Sequence, residues 1–358
     1  MVTNAPEVNK CTWPPESSLS PTLLSFFVHH TTTMSRQLVA CMLNVSEGRN
    51  LALVERIAQS ALRAVNPPAK KTAVEGWKIN ASVLNIFQDF DYNRSVITIV
   101  AGQDNIGASV EAACRTAYDL IDLSRQEGVH PRLGAVDLVP LHPISENMSL
   151  HTLGAVAKDL ASNITSSVPG TSVFLFGAAD SEGRGLVARR KEVGWFKTPV
   201  RYPALTHDVG AVPSSRYGLT GVGAIPYMMN VNVTLDTQDV ALGRRVAAAI
   251  RATSPKGLPG VQSMAFPHEG KVEVACNVDL LPAHLRLPDW EVRESLGGQY
   301  VFTPSDVLTR RILQESGGVD AVGTTLVGFT PEEARALATL ALTRGEEEAW
   351  RRAKDRRM

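Results

Sequence analysis

Residues 95–126 read SVITIVAGQDNIGASVEAACRTAYDLIDLSRQ, and this stretch decides the fold class. The run Ser95–Ala101 predicts a strand, because its many β-branched side chains fit a pleated surface. The run Ile106–Gln126 places apolar residues such as Ala113 and Leu120 at helical spacing, and it predicts a long amphipathic helix. A confident strand is therefore followed directly by a helix.

The same alternation continues on both sides of this stretch. Further strands are predicted at Gln37–Leu43, Ala81–Phe87, Val136–Leu141 and Ser172–Phe176, and further helices at Leu51–Val65 and Ser149–Asn163. Two-strand hairpins interleaved with helices predict an α+β fold, in which helices cover a mixed or antiparallel sheet mainly on one face. Neither a Gly-x-Gly-x-x-Gly run nor a P-loop is present, which argues against a doubly wound nucleotide-binding fold.

The second half of the chain repeats this style. Strands are predicted at Tyr227–Leu235, Val261–Ala265 and Val272–Val278, and helices at Thr237–Ala252, Pro304–Glu315 and Pro331–Leu342. We expect Thr303 and Thr330 to cap the last two helices. Four segments follow: a disordered extension at 1–35, an N-terminal subdomain at 36–203, a C-terminal subdomain at 204–342 and a charged tail at 343–358. Pro199 and Pro203 interrupt the periodicity near the boundary between the subdomains.

Composition narrows the possible partners and the compartment. The 36 basic residues balance the 36 acidic ones within a chain of 358 residues, so charge gives no reason to expect nucleic acid or an anionic membrane as a partner. The four cysteines are scattered without zinc spacing, so no metal is expected. Buried thiols at Cys41, Cys114 and Cys276 fit a reducing compartment, and a cytoplasmic location is expected. An organellar location, with residues 1–35 as the targeting segment, is the alternative.

The turn in residues 127–137, EGVHPRLGAVD, is the first candidate for chemistry. Imidazole has an ordinary pKa of about 6.5, which suits proton transfer at neutral pH. A loop held by glycine and proline can present His130 to a substrate while its flanking elements stay rigid. A surface or hydrogen-bonded histidine is the alternative interpretation.

Two further loops are polar. In residues 44–50, NVSEGRN, the side chains of Asn44, Ser46 and Arg49 are candidates for substrate contact, because helix N-termini favour anionic groups. Alternatively Ser46 or Asn50 caps the helix, while Glu47 and Arg49 point to water. The loop Asp89–Arg94 holds two carboxylates, which makes a turn a more natural interpretation than a metal site.

Several ordered motifs together resemble the formiminotransferase family, which includes glutamate formiminotransferase and the front half of formiminotransferase-cyclodeaminase. The matching runs are residues 44–50, 91–96 and 128–137, Phe174–Ala179, and then Asp208–Gly210, Val212–Ser214, Thr220-Gly221 and Asn230–Asn232. The resemblance covers roughly residues 36 to 342. Because the chain stops at residue 358, it implies a stand-alone form without the cyclodeaminase half.

The resemblance implies transfer of a formimino group from N-formimino-L-glutamate to N5 of tetrahydrofolate, a step of one-carbon metabolism in histidine degradation. It places the family's catalytic histidine at His130, and it implies folate and formiminoglutamate as small-molecule partners of a homodimer that needs no metal. Substrate contacts are expected at Asn44, Ser46, Arg49, Asn93, Arg94, Arg132 and Asp137. Asp137 could orient His130 or Arg132, or it could simply cap the strand that follows.

The resemblance also assigns folate binding to a stretch of the second half. The expected residues are Gly210, Ala211, Val212, Pro213, Ser214, Ser215, Arg216, Thr220 and Gly221. Here the family's Trp-Gly pair is replaced by Ser215-Arg216, and earlier its Gly-Pro-Ser-Thr is replaced by Asp89–Tyr92. These departures keep two alternatives open: a non-catalytic folate-binding or regulatory protein, and a different one-carbon folate transferase or hydrolase.

Two other groups are predicted to have no part in the chemistry. Arg189-Arg190-Lys191 could attract a polyglutamate tail, but a solvated helix face is the preferred interpretation. Five further histidines show no metal-like spacing and are predicted to be structural: His142, His151, His207, His268 and His284.

Overall fold

The computed structural model describes residues 37–66, 76–146, 148–194, 201–288, 290–296 and 298–352. These residues form three open sheets, and helices pack against the two larger ones. The predicted α+β fold is confirmed. The predicted disordered extension, residues 1–35, lies outside the described residues. Within the described ranges, none of the helices combines the length and apolar character needed to cross a bilayer.

The first sheet has seven strands, and the β-branched run forms the strand next to one edge. They are β1 (Leu38–Val45), β2 (Ala81–Asp89), β3 (Arg94–Gly102), β4 (Val136–Pro143), β5 (Ser172–Gly177), β6 (Val209–Gly210) and β7 (Thr220–Ala224), in the order β2-β3-β1-β4-β7-β5-β6. β3 pairs antiparallel with β1 and β2, and its Ile99 lies opposite Cys41 and Val83. β7 pairs in parallel with β4 and β5, so the sheet is mixed.

Helices α1 (Leu51–Val65), α2 (Gln103–Leu120) and α3 (Leu150–Ser167) bury their apolar sides in one core with this sheet. The helix predicted to continue to Gln126 ends at Leu120, because Ile121 already has extended backbone angles. A short 3-10 turn at Leu123–Arg125 follows. This early end makes the loop that carries His130 longer than the sequence pattern indicates.

The second sheet combines β8 (Met228–Leu235), β9 (Val261–His268), β10 (Lys271–Asp279) and β14 (Ala321–Val327) in the order β14-β8-β10-β9. β8 buries every second residue, as its alternating sequence predicts. Helices α5 (Val240–Ile250) and α6 (Ser305–Glu315) pack against this sheet, whereas α4 (Leu186–Glu192) packs on β5. A small third sheet of β11 (Leu281–Pro282), β12 (Arg293–Ser295) and β13 (Gly298–Val301) was not predicted.

The two large sheets share a core. α7 (Pro331–Arg344) packs against β1, β2 and β3. Residues from this second face of the first sheet, such as Ala40 and Val100, join α7 residues such as Ala338 and side chains of the second sheet in one buried cluster. The predicted burial of three thiols is also confirmed, since Cys41, Cys114 and Cys276 are free and buried.

Two expectations need correction. The division between the two large sheets lies after Ala224 rather than near residue 203, because β6 and β7 extend the first sheet. Thr303 does not cap α6: its hydroxyl donates to the Pro259 carbonyl, and Pro304 occupies the cap position. Thr330 does cap α7, through a complete capping box with Glu333.

Part of the segment predicted to be a charged tail packs against the first sheet. The Val83 amide donates to the Glu347 carbonyl at 3.0 Å, and the Ser82 hydroxyl donates to the Glu346 carbonyl at 2.6 Å. Trp350 packs against the first core. The apolar indole ring makes this contact, which the many charged residues around Trp350 in the sequence do not indicate.

Candidate active site

His130 lies in the loop between the 3-10 turn and β4, and its side chain is half-buried. The imidazole is edge-on to the Tyr92 ring, with centroids 5.2 Å apart. Its centroid lies 4.9 Å from that of Phe266. Tyr92 belongs to the turn between β2 and β3, whereas Phe266 belongs to β9. The imidazole is therefore placed where the first sheet meets the second.

Arg94, the first residue of β3, holds this imidazole from the side. Its Nη1 lies 3.1 Å from His130 Nδ1, and its Nη2 lies 3.0 Å from Asp137 Oδ2. Nε and Nη2 of Arg94 also donate to Asn44 Oδ1, at 3.0 and 2.6 Å. Three predicted site residues, Asn44, Arg94 and Asp137, thus meet beside His130.

Asp137 is buried and faces more than one cation. Its Oδ2 lies 3.2 Å from Arg190 Nη2, and its Oδ1 accepts a hydrogen bond from the Leu133 amide at 2.8 Å. Burial alone would raise the pKa of this carboxyl, but the guanidiniums of Arg94 and Arg190 outweigh it and hold the pKa below its usual value. Asp137 is therefore a carboxylate at neutral pH, and its ion pair with Arg94 orients the guanidinium that contacts His130.

The His130 imidazole is neutral under ordinary conditions. Burial, and after it the positive charge of Arg94, lowers the pKa of His130 to about 3. Nδ1 also lies 2.7 Å from the Pro131 carbonyl oxygen. One nitrogen cannot accept from Arg94 and donate to Pro131 at once, so the tautomer decides which ring nitrogen receives a proton. In either tautomer the ring has one nitrogen able to accept.

Two glycines allow the loops around His130 to approach each other. A Cβ on Gly128 would lie 2.4 Å from the Tyr92 carbonyl oxygen, and one on Gly48 would lie 2.5 Å from the Arg94 amide nitrogen. Any side chain at either place would force the backbones apart. The glycines in these two motifs therefore serve the geometry of the site.

Ser46 and Asn93 tie loops together. The Ser46 hydroxyl donates to the Gly134 carbonyl at 2.7 Å. Asn93, with a φ of +47°, accepts from the Gly48 amide at 2.8 Å and donates to the Glu127 carbonyl at 2.9 Å. Asn93 thereby fixes the loop before His130, and Ser46 fixes it after His130. The turn predicted at Asp89–Arg94 is confirmed.

The loop between Asn44 and the start of α1 matches its prediction only in part. Asn50 caps α1 by accepting from the Leu53 amide at 3.0 Å. Glu47, expected to point to water, is buried, because Oε1 accepts from the Arg49 and Asn50 amides at 2.7 and 2.9 Å. Arg49 is exposed as expected and lies over the Phe90 ring, 5.1 Å from its centroid.

A pocket of about 440 Å³ opens beside this loop. It is lined by Glu47, Arg49, Asn50, Leu51, Asn93, Arg125, Gln126 and Glu127. Its far wall is the segment that leads directly into His130. Two predicted substrate residues, Arg49 and Asn93, therefore line a cavity next to the candidate catalytic loop. Arg132 lies behind it and donates to the carbonyls of Tyr92 and Asn93, at 3.0 and 3.3 Å.

The stretch predicted to bind folate lies against other elements. Gly210 pairs with Ser172 on β5, and Arg216 forms an ion pair with Asp122 at 3.2 Å, near the end of α2. Thr220 donates to the Val136 carbonyl at 2.6 Å, and Gly221 pairs with Leu138. None of these contacts, all within the described ranges, reaches His130.

Two of the three basic residues predicted to form a solvated helix face, Arg189 and Arg190, are buried instead, whereas Lys191 is exposed. Arg189 donates to the Leu175 carbonyl at 2.9 Å and pairs with Asp208 at 2.6 Å, while Arg190 reaches Asp137. The seven-residue α4 is too short for a periodic pattern to reveal its buried side. Arg190 is thus a site residue that sequence reasoning missed.

Other missed residues come from the second sheet: Phe266, His268 and Glu273, which meet Tyr92 of the β2–β3 turn. Their proximity to His130 depends on long-range packing, which local patterns do not report. His142 fits the structural role predicted for it, because burial lowers its pKa to about 4 and its ring meets the Pro226 carbonyl at 3.0 Å. Among the described residues, no group of three or more His, Cys, Asp or Glu side chains is arranged to hold a metal ion.

Comparison with known proteins adds an independent line of evidence. A model of the formiminotransferase domain, N-terminal subdomain, matches residues 38–225, from the first residue of β1 to just past β7. A formiminotransferase cyclodeaminase-like protein of Arabidopsis thaliana is 33% identical over 265 residues, covering 68% of this chain and 83% of that protein. A glutamate formimidoyltransferase of Thermoplasma acidophilum is 28% identical over 302 residues, covering 83% and 89%.

A bifunctional relative shows the same region within a longer chain. The formimidoyltransferase-cyclodeaminase of Gallus gallus is 27% identical over 312 residues, which are 83% of this chain and 51% of that protein. The domain match spans more than half of the chain and includes His130, Arg94 and Asp137.

Proposed function

Because the chain belongs to the formiminotransferase family, we propose that it is a glutamate formiminotransferase that uses tetrahydrofolate as acceptor. In this reaction N5 of tetrahydrofolate attacks the formimino carbon of N-formimino-L-glutamate. The bond from that carbon to N5 forms, and the bond to the glutamate nitrogen breaks. N5 loses one proton, and the departing glutamate nitrogen gains one.

The observation that supports this most directly is the position of the half-buried His130 imidazole, which Arg94 holds beside Tyr92 and Phe266 where the two large sheets meet. A neutral ring accepts the proton from N5 and then delivers it to the leaving nitrogen, so the ring returns to its starting state. Such general acid–base catalysis contributes about 10²–10⁴-fold to a rate. Tyr92 and Phe266 restrict the ring to one orientation, which the two proton transfers require.

The charge around His130 fits a substrate with carboxylates. Arg94, Arg132 and Arg190 all act on the buried carboxylate of Asp137, so three guanidiniums face one carboxylate at this point. Formiminoglutamate carries two carboxylates, and guanidiniums bind these in a bidentate manner. Arg49, at the edge of the 440 Å³ pocket, adds another cation on the approach to the site.

The experiment that tests this function measures glutamate release from formiminoglutamate in the presence of tetrahydrofolate. We expect His130→Ala to lower kcat by about 10²–10⁴-fold. His151→Ala is the matched control, because His151 is exposed on α3, and it should retain wild-type activity. A His130→Ala enzyme with a near-native rate would contradict the mechanism.

A titration with tetrahydrofolate separates the alternatives. Folate binding without glutamate release would indicate a binding or regulatory protein, and release of formate from a one-carbon folate would indicate a hydrolase. The folate-binding role of Gly210–Arg216, Thr220 and Gly221 stays a prediction, and Arg216→Ala in the same titration tests it. Homodimerisation and a cytoplasmic location also stay predictions.

A further inference from the structure

The β9–β10 hairpin of the second sheet docks on the turn between β2 and β3. His268 Nε2 lies 2.7 Å from Asp89 Oδ2, and the Glu269 amide donates to Asp91 Oδ2 at 2.7 Å. Asp89–Tyr92 is the segment in which the chain departs from the Gly-Pro-Ser-Thr of the family it resembles. On the side of the turn, the contacts are therefore made by residues that depart from that motif.

Tyr92 is fixed at both ends by the same contact region. Its amide donates to Asp89 Oδ1 at 2.7 Å, and its hydroxyl donates to Glu273 Oε1 at 2.7 Å. Asn232 donates to the same Glu273 oxygen at 2.8 Å. Asp89 thus holds the Tyr92 backbone with one oxygen and His268 with the other.

The Tyr92 ring lies between the two histidines. Its centroid is 4.7 Å from that of His268 and 5.2 Å from that of His130. Phe266, two residues before His268 on β9, contacts both Tyr92 and His130. A displacement of His268 would move two of the aromatic rings that pack on His130.

The negative charges around His268 explain how its side chain is held in position. Burial opposes its protonation, but the hydrogen bond to Asp89 and the charge of Glu273 raise the pKa of His268 to about 9. Glu269 also faces His268, and its negative charge raises this pKa further. A buried ion pair stabilises a fold no better than well-packed apolar residues would. Here the pair lies beside Tyr92, whose ring packs on the candidate catalytic histidine.

We infer that His268, acting through Tyr92, is a positioning residue for the His130 imidazole. This rests on the proposed function, because the role concerns the orientation in which His130 exchanges protons with substrate. His268 and Asp89 hold the β9–β10 hairpin against the β2–β3 turn, and Glu273 holds the Tyr92 hydroxyl. The Tyr92 and Phe266 rings then leave the imidazole a single orientation.

The first experiment does not depend on turnover. The NMR signal of the His130 ring protons is compared in the full chain and in the variants His268→Gln and Tyr92→Phe. Ring-current shifts report the position of His130 relative to its aromatic neighbours, so both variants should shift this signal. His284→Gln is the matched control, because His284 is exposed and distant in the fold, and it should leave the signal unchanged. An unchanged His130 signal in both variants would overturn the inference.

The second experiment uses catalysis. His268→Gln should lower kcat by roughly tenfold, because a misplaced catalytic group slows the reaction, while KM for formiminoglutamate stays within about twofold. Tyr92→Phe removes only one hydroxyl and should still fold. It therefore tests the inference even if His268→Gln does not fold. The double variant should lose no more than the larger single loss, because both changes act on one ring. Additive losses, or a native kcat in Tyr92→Phe, would overturn the inference.

The two proposals fail separately. If the wild-type chain releases no glutamate, the proposed function is wrong. The His130 NMR signal would still show whether His268 positions the imidazole. Turnover with an unmoved His130 signal in both variants would keep the function and remove the positioning role.

Discussion

At the scale of single residues, Arg94 decides the behaviour of the site, because it contacts His130, Asp137 and Asn44 together. Its guanidinium supplies the charge that lowers the pKa of His130 further once burial has lowered it. Arg94 also links Asp137 to the imidazole, because the same guanidinium contacts both. The geometry of the candidate site thus depends on one side chain with three contacts.

Replacing Arg94 with Gln should raise the pKa of His130 toward its ordinary value of about 6.5. The positive charge is lost, whereas the burial remains, so the rise will be partial. An NMR titration of the His130 ring protons measures it. Arg125→Gln is the control, since Arg125 is exposed in the 3-10 turn. A pKa that stays the same in Arg94→Gln would show that burial alone sets it.

Asp137→Asn should destabilise the fold strongly. The change leaves the guanidiniums of Arg94 and Arg190 without their buried counter-charge, and breaking a buried ion pair on one side costs about 3–5 kcal/mol. Urea denaturation gives the free energy of unfolding. Asp306→Asn breaks an ion pair to Arg310 in which both side chains are exposed, and it should change that free energy by about 1 kcal/mol or less. Equal effects of the two variants would argue against a special role for Asp137.

At the scale of elements, the site depends on a loop, a turn and a hairpin that come from distant parts of the sequence. The loop carries His130, the β2–β3 turn carries Tyr92, and the β9–β10 hairpin carries Phe266 and His268. The hairpin is attached to the turn by an ion pair whose charge state depends on pH. This attachment has a measurable consequence for stability.

The contribution of His268 to stability should fall at alkaline pH. Its pKa is raised to about 9 in the folded state, against about 6.5 in the unfolded chain. The folded protein therefore binds this proton more tightly, and the stabilisation is complete below pH 6.5 and lost as pH rises through 9. Melting temperatures of wild type and His268→Gln should converge over this range. His284→Gln should differ from wild type by a constant amount, and a constant difference for His268→Gln would refute the prediction.

At the scale of the whole molecule, local patterns predicted the elements better than their assembly. β3 follows from the β-branched run Ser95–Ala101, and the cap of α7 follows from Thr330, because both depend on neighbours in sequence. Arg190 was misjudged, since its partner Asp137 is 53 residues away, and the contact of His268 with Asp89 could not be predicted because 179 residues separate them. The motifs around Asn44, Arg94 and His130 were identified by resemblance, and the structure brings these three side chains together.

The shared core predicts that the two large sheets unfold together. Leu342 of α7 is fully buried in the cluster that contains side chains of both sheets, so Leu342→Ala should lower the free energy of unfolding by about 2–5 kcal/mol. Far-UV circular dichroism and the His130 NMR signal should then disappear in one coincident transition, at a lower urea concentration than in wild type. Leu287→Ala, at an exposed position, should shift neither. If the two probes separate in Leu342→Ala, the sheets are independent units, and the second sheet could not hold His130 in place through Phe266 and Tyr92 once it had unfolded.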